Sequence, residues 1–489
     1  MPKTLIIGAG FSGLSSATIL ASKGHDVSLF EKNDTTGGRC RSWEHNGFLF
    51  DMGPSWYWMP DVFERYFNLF DKSVNDYYTL KRLSPSYRVF FENNVRMDIP
   101  ANLDGIYALF EAHEKGSANK LKQFLASAEY KYNKGMKELV FKPGRSLTEF
   151  MQWSVVSSLF KIHLFSPISK EIRKNFKNPH LQQLLEFPVL FLGAKPENTP
   201  ALYSLMNYAD MVLGTWYPMG GMCKITEAMT KLAKEKGVHI HLNTGIESFN
   251  ISGRQIESIN SQTKTFAADG VIAAADYHHV ESTFLNGHAN YTDAYWNKRK
   301  LAPSSLIFYV GVSKKIKNLL HHNLFFDADF AKHAAAIYDK PEWPQSPLFY
   351  VCAPSVTDDT VAPPGCENLF ILIPVSTDID ETDAIKEHYF NLVIDRIEKQ
   401  TGDTFKNEIL FKKSFAKKEF IREYNSFKGN AYGLANTLRQ TAILKPKVYN
   451  KKINNLFYAG QLTVPGPGVP PSLISGEIAA KQLMNYLRN

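Results

Sequence analysis

Cysteine is scarce in this sequence: Cys40, Cys223, Cys352 and Cys366 stand alone among 489 residues. Their spacings fit no zinc or dithiol pattern, which speaks against a disulfide framework or a metal ribbon and leaves small core residues in a reducing compartment. Long hydrophobic runs are lacking too. The most membrane-like stretch, MQWSVVSSLFKIHLF at 151–165, is too short to cross a bilayer and carries Lys161 and His163. The first apolar run passes straight into glycines without a small-residue cleavage site, so neither a spanning helix nor a signal peptide is expected. Neither H-E-x-x-H nor G-x-S-x-G occurs. His278, His279, His321 and His322 come in pairs without accompanying carboxylates, and they read as core or solvated histidines with no metal expected. Negative charge is thin in one region, where residues 115–180 hold 13 Lys or Arg against four Glu and no Asp. That stretch accounts for the formal net charge of +8. A basic lobe of this kind suits a solvated face or anionic lipid ahead of nucleic acid, which is not expected as a partner.

What is present begins near the amino end. At 44% hydrophobic the chain can bury more than one ordinary core, so two domains, or one interrupted by another, are expected. TLIIG reads as a short buried strand, Phe11 to Lys23 as a helix stopped by Gly24, and DVSLFE as a second strand, together a βαβ opening. Gly8, Gly10 and Gly13 lie between strand and helix as G-x-G-x-x-G: the first for a tight turn, the second for close approach of a pyrophosphate, the third for helix packing on strand. Glu31 ends the second strand, where a carboxylate can hold ribose hydroxyls. NAD and FAD share that much. Gly37, Gly38 and Arg39 in TTGGRCRS then point to FAD, the glycines by letting backbone pass close to the ligand, the arginine by forking onto phosphate or sitting beside the ring. In FDMGPS, Asp51, Gly53, Pro54 and Ser55 form a turn, and Trp56, Tyr57 and Trp58 after it read as core sooner than as substrate wall.

Residues 60–215 read as helical and aromatic-rich, with no dominant strand alternation. From 216 an amphipathic helix ending at Gly237 leads into VHIHL, IESFNI, QIESIN and GVIAAAD, a strand and a small meander. SLIFYVGV, LFYVCA and NLFILIPV predict a second, mostly antiparallel sheet, with one helix near Asp380 to Gln400. The chain closes on NLFYAG, a loop QLTVPGPGVPP and a helix SLISGEIAAKQLMNYL.

Taken together, GAGFSGL, FEKNDTTGGR, FDMGPS, YPMGGMCKITEAM and NLFYAGQLTVPGPGVPPSLISGE resemble the bacterial phytoene desaturase family of carotenoid desaturases, within the amine-oxidase-like flavoproteins, over nearly the whole chain. The resemblance implies an α/β fold. A Rossmann-like FAD-binding domain of the amine-oxidase-like type would use 1–70, 216–285 and 430–489; an inserted α+β substrate domain with a mixed or antiparallel sheet would use 71–114 and 286–429; 115–215 would form a helical, basic, membrane-facing lobe. It implies FAD contacts from Gly8, Gly10, Phe11, Ser12, Gly13, Glu31, Lys32, Gly37, Gly38, Arg39, Gly53, Pro54 and Ser55, from Ile246 and Ala274, and from Gly460, Gln461, Gly468 and Val469. The family's PGGGIPG pattern is PGPGVPP here, and Pro467 and Pro471 cannot donate, so which amides face the ring stays open.

The implied reaction moves a hydride from a long polyene to the flavin and releases the neighbouring hydrogen as a proton. No catalytic residue is assigned; orientation and dryness are what the protein must supply. A carotenoid is about as long as the roughly 30 Å hydrocarbon core of a bilayer. It would be drawn from the membrane, which places the chain peripherally on the cytoplasmic side of the cell membrane, with quinone or oxygen as electron acceptor. The first reading is 3,4-desaturation of a hydroxylated acyclic or monocyclic carotenoid. Conversion of phytoene to lycopene, a flavin amine oxidase and a non-catalytic isoprenoid-binding protein stand beside it.

Overall fold

A computed structural model describes residues 1–146, 166–190, 193–437 and 439–488. Two sheets organise them. The first opens with β1 (Lys3–Ile7), α1 (Phe11–Ser22) and β2 (Asp26–Phe30). It is parallel throughout, in the order Leu456–Tyr458, Gly270–Ala273, β1, β2, His239–His241. Parallel strands need cover on both faces, and β1 shows how it is divided. Leu5 and Ile7 pack toward the three-stranded meander of Ile246–Ser252, Gln255–Ser261 and Thr265–Ala267, joining Phe249, Ile256 and Ile259. Ile6 points to the opposite core, where α1 packs against the helices Cys223–Glu235 and Val469–Arg488.

The second sheet has seven strands, in the order Ile409–Phe415, Ser304–Val312, Glu367–Val375, Phe349–Cys352, His322–Phe326, Tyr87–Phe91, Arg96–Ile99. One pairing, His322–Phe326 with Tyr87–Phe91, is parallel and the others are antiparallel. Its five inner strands are buried on both faces and show no polar alternation, whereas the edge strands Ile409–Phe415 and Arg96–Ile99 are partly exposed. Phe308, Val310, Val351 and Ile371 face the helix Asp383–Thr401, meeting Tyr389, Phe390, Val393, Ile394 and Ile397. The residues between them, among them Ile307, Tyr350, Cys352 and Leu372, face the main core.

Residues 60–215, read as helical with no dominant strand alternation, also contribute the strands Leu80–Arg82, Tyr87–Phe91 and Arg96–Ile99, the last two in the second sheet. Each is short, and Tyr87–Phe91 is buried on both sides, so neither length nor period announces it. His322–Phe326 escaped notice for the same reason.

Within 115–215, the helices Ser117–Lys134, Ile168–Asn175 and Pro179–Leu190 are described, whereas Lys161 and the MQWSVVSSLFKIHLF stretch lie outside the described residues. Several of the lobe's cations are held internally. The buried Lys131 amine meets Glu171 at 3.2 Å, Ala201 O at 3.1 Å and Ser204 Oγ at 3.0 Å. Arg173 pairs with Glu186 and Glu197, and Lys120 with Glu114. Lys170 and Lys174 are exposed. Among the described residues no helix is long and apolar enough to cross a membrane.

Candidate functional site

The glycine turn between β1 and α1 is fixed by close approach. Gly8 has φ +100°, and a Cβ on Gly13 would fall 1.8 Å from Gly8 O, so only a hydrogen there lets α1 press onto the turn. Gly10 is different: a Cβ there would meet nothing within 4 Å, and the residue borders a cavity of about 400 Å³. Space above Gly10 is therefore kept for a ligand. The buried Glu31 carboxylate accepts the Ala9 N–H (2.9 Å) and the Asn33 N–H (3.0 Å), which ties the end of β2 to the turn.

Every residue the sequence reading assigned to the cofactor borders this one cavity except Gly13, which lies beneath Gly8 as a packing contact. The residues come from distant segments. Ala274 follows the strand Gly270–Ala273 and donates its N–H to Ile7 O (2.8 Å), while Gly460 follows Leu456–Tyr458 and donates to Ser475 Oγ (3.0 Å). Lys32 donates to Arg422 O (2.8 Å) and Asn425 Oδ1 (3.1 Å). Arg39 lies over the Tyr424 ring at 5.1 Å and donates through Nη2 to Ser426 Oγ (3.1 Å). Its Nε is buried with no partner. Burial pulls the Arg39 guanidinium below its ordinary pKa, against the pull of Asp276.

Tyr424, Asn425 and Asp276 also border the cavity and were not singled out from the sequence. No motif marks the first two. They arrive on and after the helix Lys417–Tyr424, set in place by the return of the chain from the second sheet. Asp276 caps the helix Tyr277–Phe284 and accepts from His279 N–H (3.1 Å) and Phe427 N–H (3.2 Å).

The carboxy-terminal helix starts at Val469, not after Pro471 as expected. Proline is tolerated in a first turn because the N–H it lacks would have no helical partner there. Ser472 N–H already bonds Gly468 O at 3.0 Å, so Val469 carries the one amide that this first turn can turn toward the cavity.

The aromatic run after Ser55 divides by alternation of an extended backbone. Tyr57 is core, its hydroxyl 2.9 Å from that of Tyr78, as expected. Trp58 also lies in the main core and Trp56 packs against it, but both border the cavity as well, so the two tryptophans serve as core and as cavity wall. Trp56 stacks on His322 at 4.1 Å, and Trp58 Nε1 donates to Thr215 Oγ1 at 2.9 Å. Past them, Met59, Met206, Ile307 and Leu372 continue an apolar wall, and Tyr350, Leu372 and Tyr432 are shared with a second chamber of about 80 Å³ lined by Phe187, Phe326 and Phe330.

The residues present fit FAD. The clearance over Gly10, the fixed carboxylate of Glu31 and the orphaned Nε of Arg39 supply backbone room, a ribose acceptor and an unused donor along one cavity.

Comparison with known proteins agrees with that geometry. A profile of the family described as flavin containing amine oxidoreductase matches residues 11–484. A carotenoid 3,4-desaturase of Haloarcula japonica is 38% identical over 483 residues, covering 98% of this chain and 97% of that protein. A zeta-carotene-forming phytoene desaturase of Myxococcus xanthus is 29% identical over 492 residues, covering 99% and 94%. The solved structure of an oxidoreductase from Methanosarcina mazei superposes over 100% of both chains with a TM-score of 0.63 at 16% identity, a likeness of fold. The chain belongs to the flavin-containing amine oxidoreductase family and is an oxidoreductase whose cofactor is FAD.

Proposed function

We propose that the chain is a carotenoid desaturase that introduces a C=C bond into a long polyene, with 3,4-desaturation of a hydroxylated carotenoid as its reaction. The observation that carries this reading is the apolar, tryptophan-walled extension that opens from the dinucleotide cradle, bounded by Trp56, Trp58, Ile307 and Leu372. Such a wall suits a hydrocarbon chain. The choice of 3,4-desaturation over phytoene conversion is supported by the greater identity to the 3,4-desaturase, 38% against 29%.

When bound, FAD supplies the acceptor for the two electrons removed. The chain's own work is binding and exclusion of water. Gly10, Glu31 and Arg39 hold the dinucleotide; the buried face of the seven-stranded sheet and the two tryptophans press the polyene into one orientation and keep the reacting carbons dry. Allylic delocalisation of the positive charge left by hydride loss removes the need for a strong acid. We also place the enzyme peripherally on the cytoplasmic face of the membrane, because its substrate does not dissolve in water, and assign quinone or oxygen as the final acceptor.

The test is anaerobic incubation of the flavin-loaded protein with candidate carotenoids in liposomes. A hydroxylated carotenoid should bleach the flavin and shift to longer wavelength, one bleaching event per new double bond. Consumption of phytoene in its place would overturn the assigned reaction, and peroxide release with soluble amines would overturn the desaturase reading.

A further inference from the structure

We infer that Tyr350, held by His322, forms an oxygen-recognising subsite in the apolar slot, which takes a hydroxyl group carried by the polyene close to the bond that is oxidised. The inference rests on the desaturase reading and deepens it.

Tyr350 stands where the two cavities join. Leu324 and Leu372 flank it on the sheet face together with the Cys352 thiol, and its hydroxyl lies 2.6 Å from His322 Nδ1. The strand register explains the pair. His322 faces Cys352 and Leu324 faces Tyr350, so His322 and Tyr350 are diagonal neighbours on one face of adjacent antiparallel strands. Trp56 stacks on the imidazole from the cavity side. Both residues are buried, and His322 Nε2 has no partner. The sheet does not need this arrangement: its backbone ladder is complete without it, and two aliphatic side chains would pack there with no polar group to desolvate. A polar pair in an apolar wall is what a ligand oxygen requires.

The chemistry favours an alcohol. Burial keeps the imidazole neutral, pushing His322 well below the usual histidine range. If Nδ1 carries the proton, it donates to the phenol oxygen, and the phenol proton is free to turn toward an oxygen in the slot as well as toward Cys352 and Ser55. If Nδ1 is bare, the phenol donates to it and the phenol oxygen is left as an acceptor. A hydroxyl can donate or accept, so it is served in both cases, whereas a ketone is served only in the first. Location adds the second constraint. The Tyr350 hydroxyl interacts with Cys352 and with Ser55, which belongs to the FDMGPS turn bordering the same cavity. An oxygen bound there lies near the reacting end of the slot, as desaturation close to a hydroxylated terminus demands.

The test uses flavin-loaded protein in liposomes with two polyenes that differ only in the terminal hydroxyl, comparing wild type, Tyr350→Phe and His322→Gln. Tyr350→Phe should lower the kcat/KM preference for the hydroxylated polyene by about 10- to 100-fold while changing turnover of the hydrocarbon by about twofold or less. His322→Gln, which keeps a hydrogen-bonding group beside the phenol, should retain most of the preference. The fully desaturated hydroxylated product, which cannot turn over, should bind oxidised Tyr350→Phe more weakly than wild type, with no such difference for the hydrocarbon product. Equal losses on both polyenes, or an unchanged preference, would overturn the subsite. If wild type oxidises both polyenes equally, the subsite falls and the desaturase reading stands. If wild type oxidises neither, that reading falls, and the product-binding comparison still decides the subsite. Should Tyr350→Phe lose its flavin, His322→Leu carries the same comparison.

Discussion

Lys445 shows how much a single residue can bear on stability. It is buried, its Nζ has no partner, and burial pulls its pKa down to about 7. The unfolded chain restores the ordinary value near 10.5. Between those two values the unfolded state binds more protons than the folded one, so on this group's account stability rises with pH from about 7 toward 10.5. Lys445→Met should remove that slope and raise stability near neutral pH by about 1–3 kcal/mol. Thermal midpoints of the flavin-loaded protein across that pH window give the check: parallel profiles for wild type and variant would refute it. At Glu31 the expected effect is on the ligand. Glu31→Ala leaves the Ala9 and Asn33 amides without their acceptor and should weaken flavin binding by about 10- to 100-fold, read as yellow absorbance per protein after dialysis.

At the scale of elements, the strand, turn and helix at the amino end separate two uses of glycine. A methyl group on Gly13 would strike Gly8 O, so Gly13→Ala must lift α1 from the turn, at a cost of about 1–3 kcal/mol. Gly10 has φ −79° and empty space above it. Gly10→Ala should therefore leave the thermal midpoint of flavin-free protein unchanged and lower flavin affinity. If both variants lost stability to the same extent, the space over Gly10 would not be reserved for a ligand. At the opposite end of the chain, the helix Val469–Arg488 packs its Gly476 onto Ser12 of α1, so the first and last elements of the cradle form one structural unit.

For the whole molecule, the proposed resting place on a membrane depends on charge that is not already paired. Lys131 and Arg173 hold the lobe together, and replacing them would confuse folding with binding. Lys170 and Lys174 are exposed and suit the test. At about 1 kcal/mol for each basic residue near an anionic surface, Lys170→Glu with Lys174→Glu should reduce cosedimentation with anionic liposomes by about tenfold or more at low salt, while flavin content stays constant. Unchanged cosedimentation would remove the lobe from the membrane.

The dinucleotide turn at the amino end was legible in the sequence because its parts are local. A strand, three glycines at fixed spacing, a helix and a terminal Glu31 are neighbours along the chain, and the constraints on them act within a single βαβ unit. The long apolar runs of Ser304–Val312 and Glu367–Val375 announced themselves in the same way, by length. The slot was not legible. Trp56, Ile307, His322, Tyr350 and Leu372 come from separate strands and loops, and which of them share a face depends on strand order and register; a shift of one residue would send Tyr350 to the other side of the sheet. Strands buried on both faces carry no alternating pattern from which that side could be read. The amino-acid order thus determined the dinucleotide turn and its chemistry, and tertiary pairing alone decided which side chains wall the substrate.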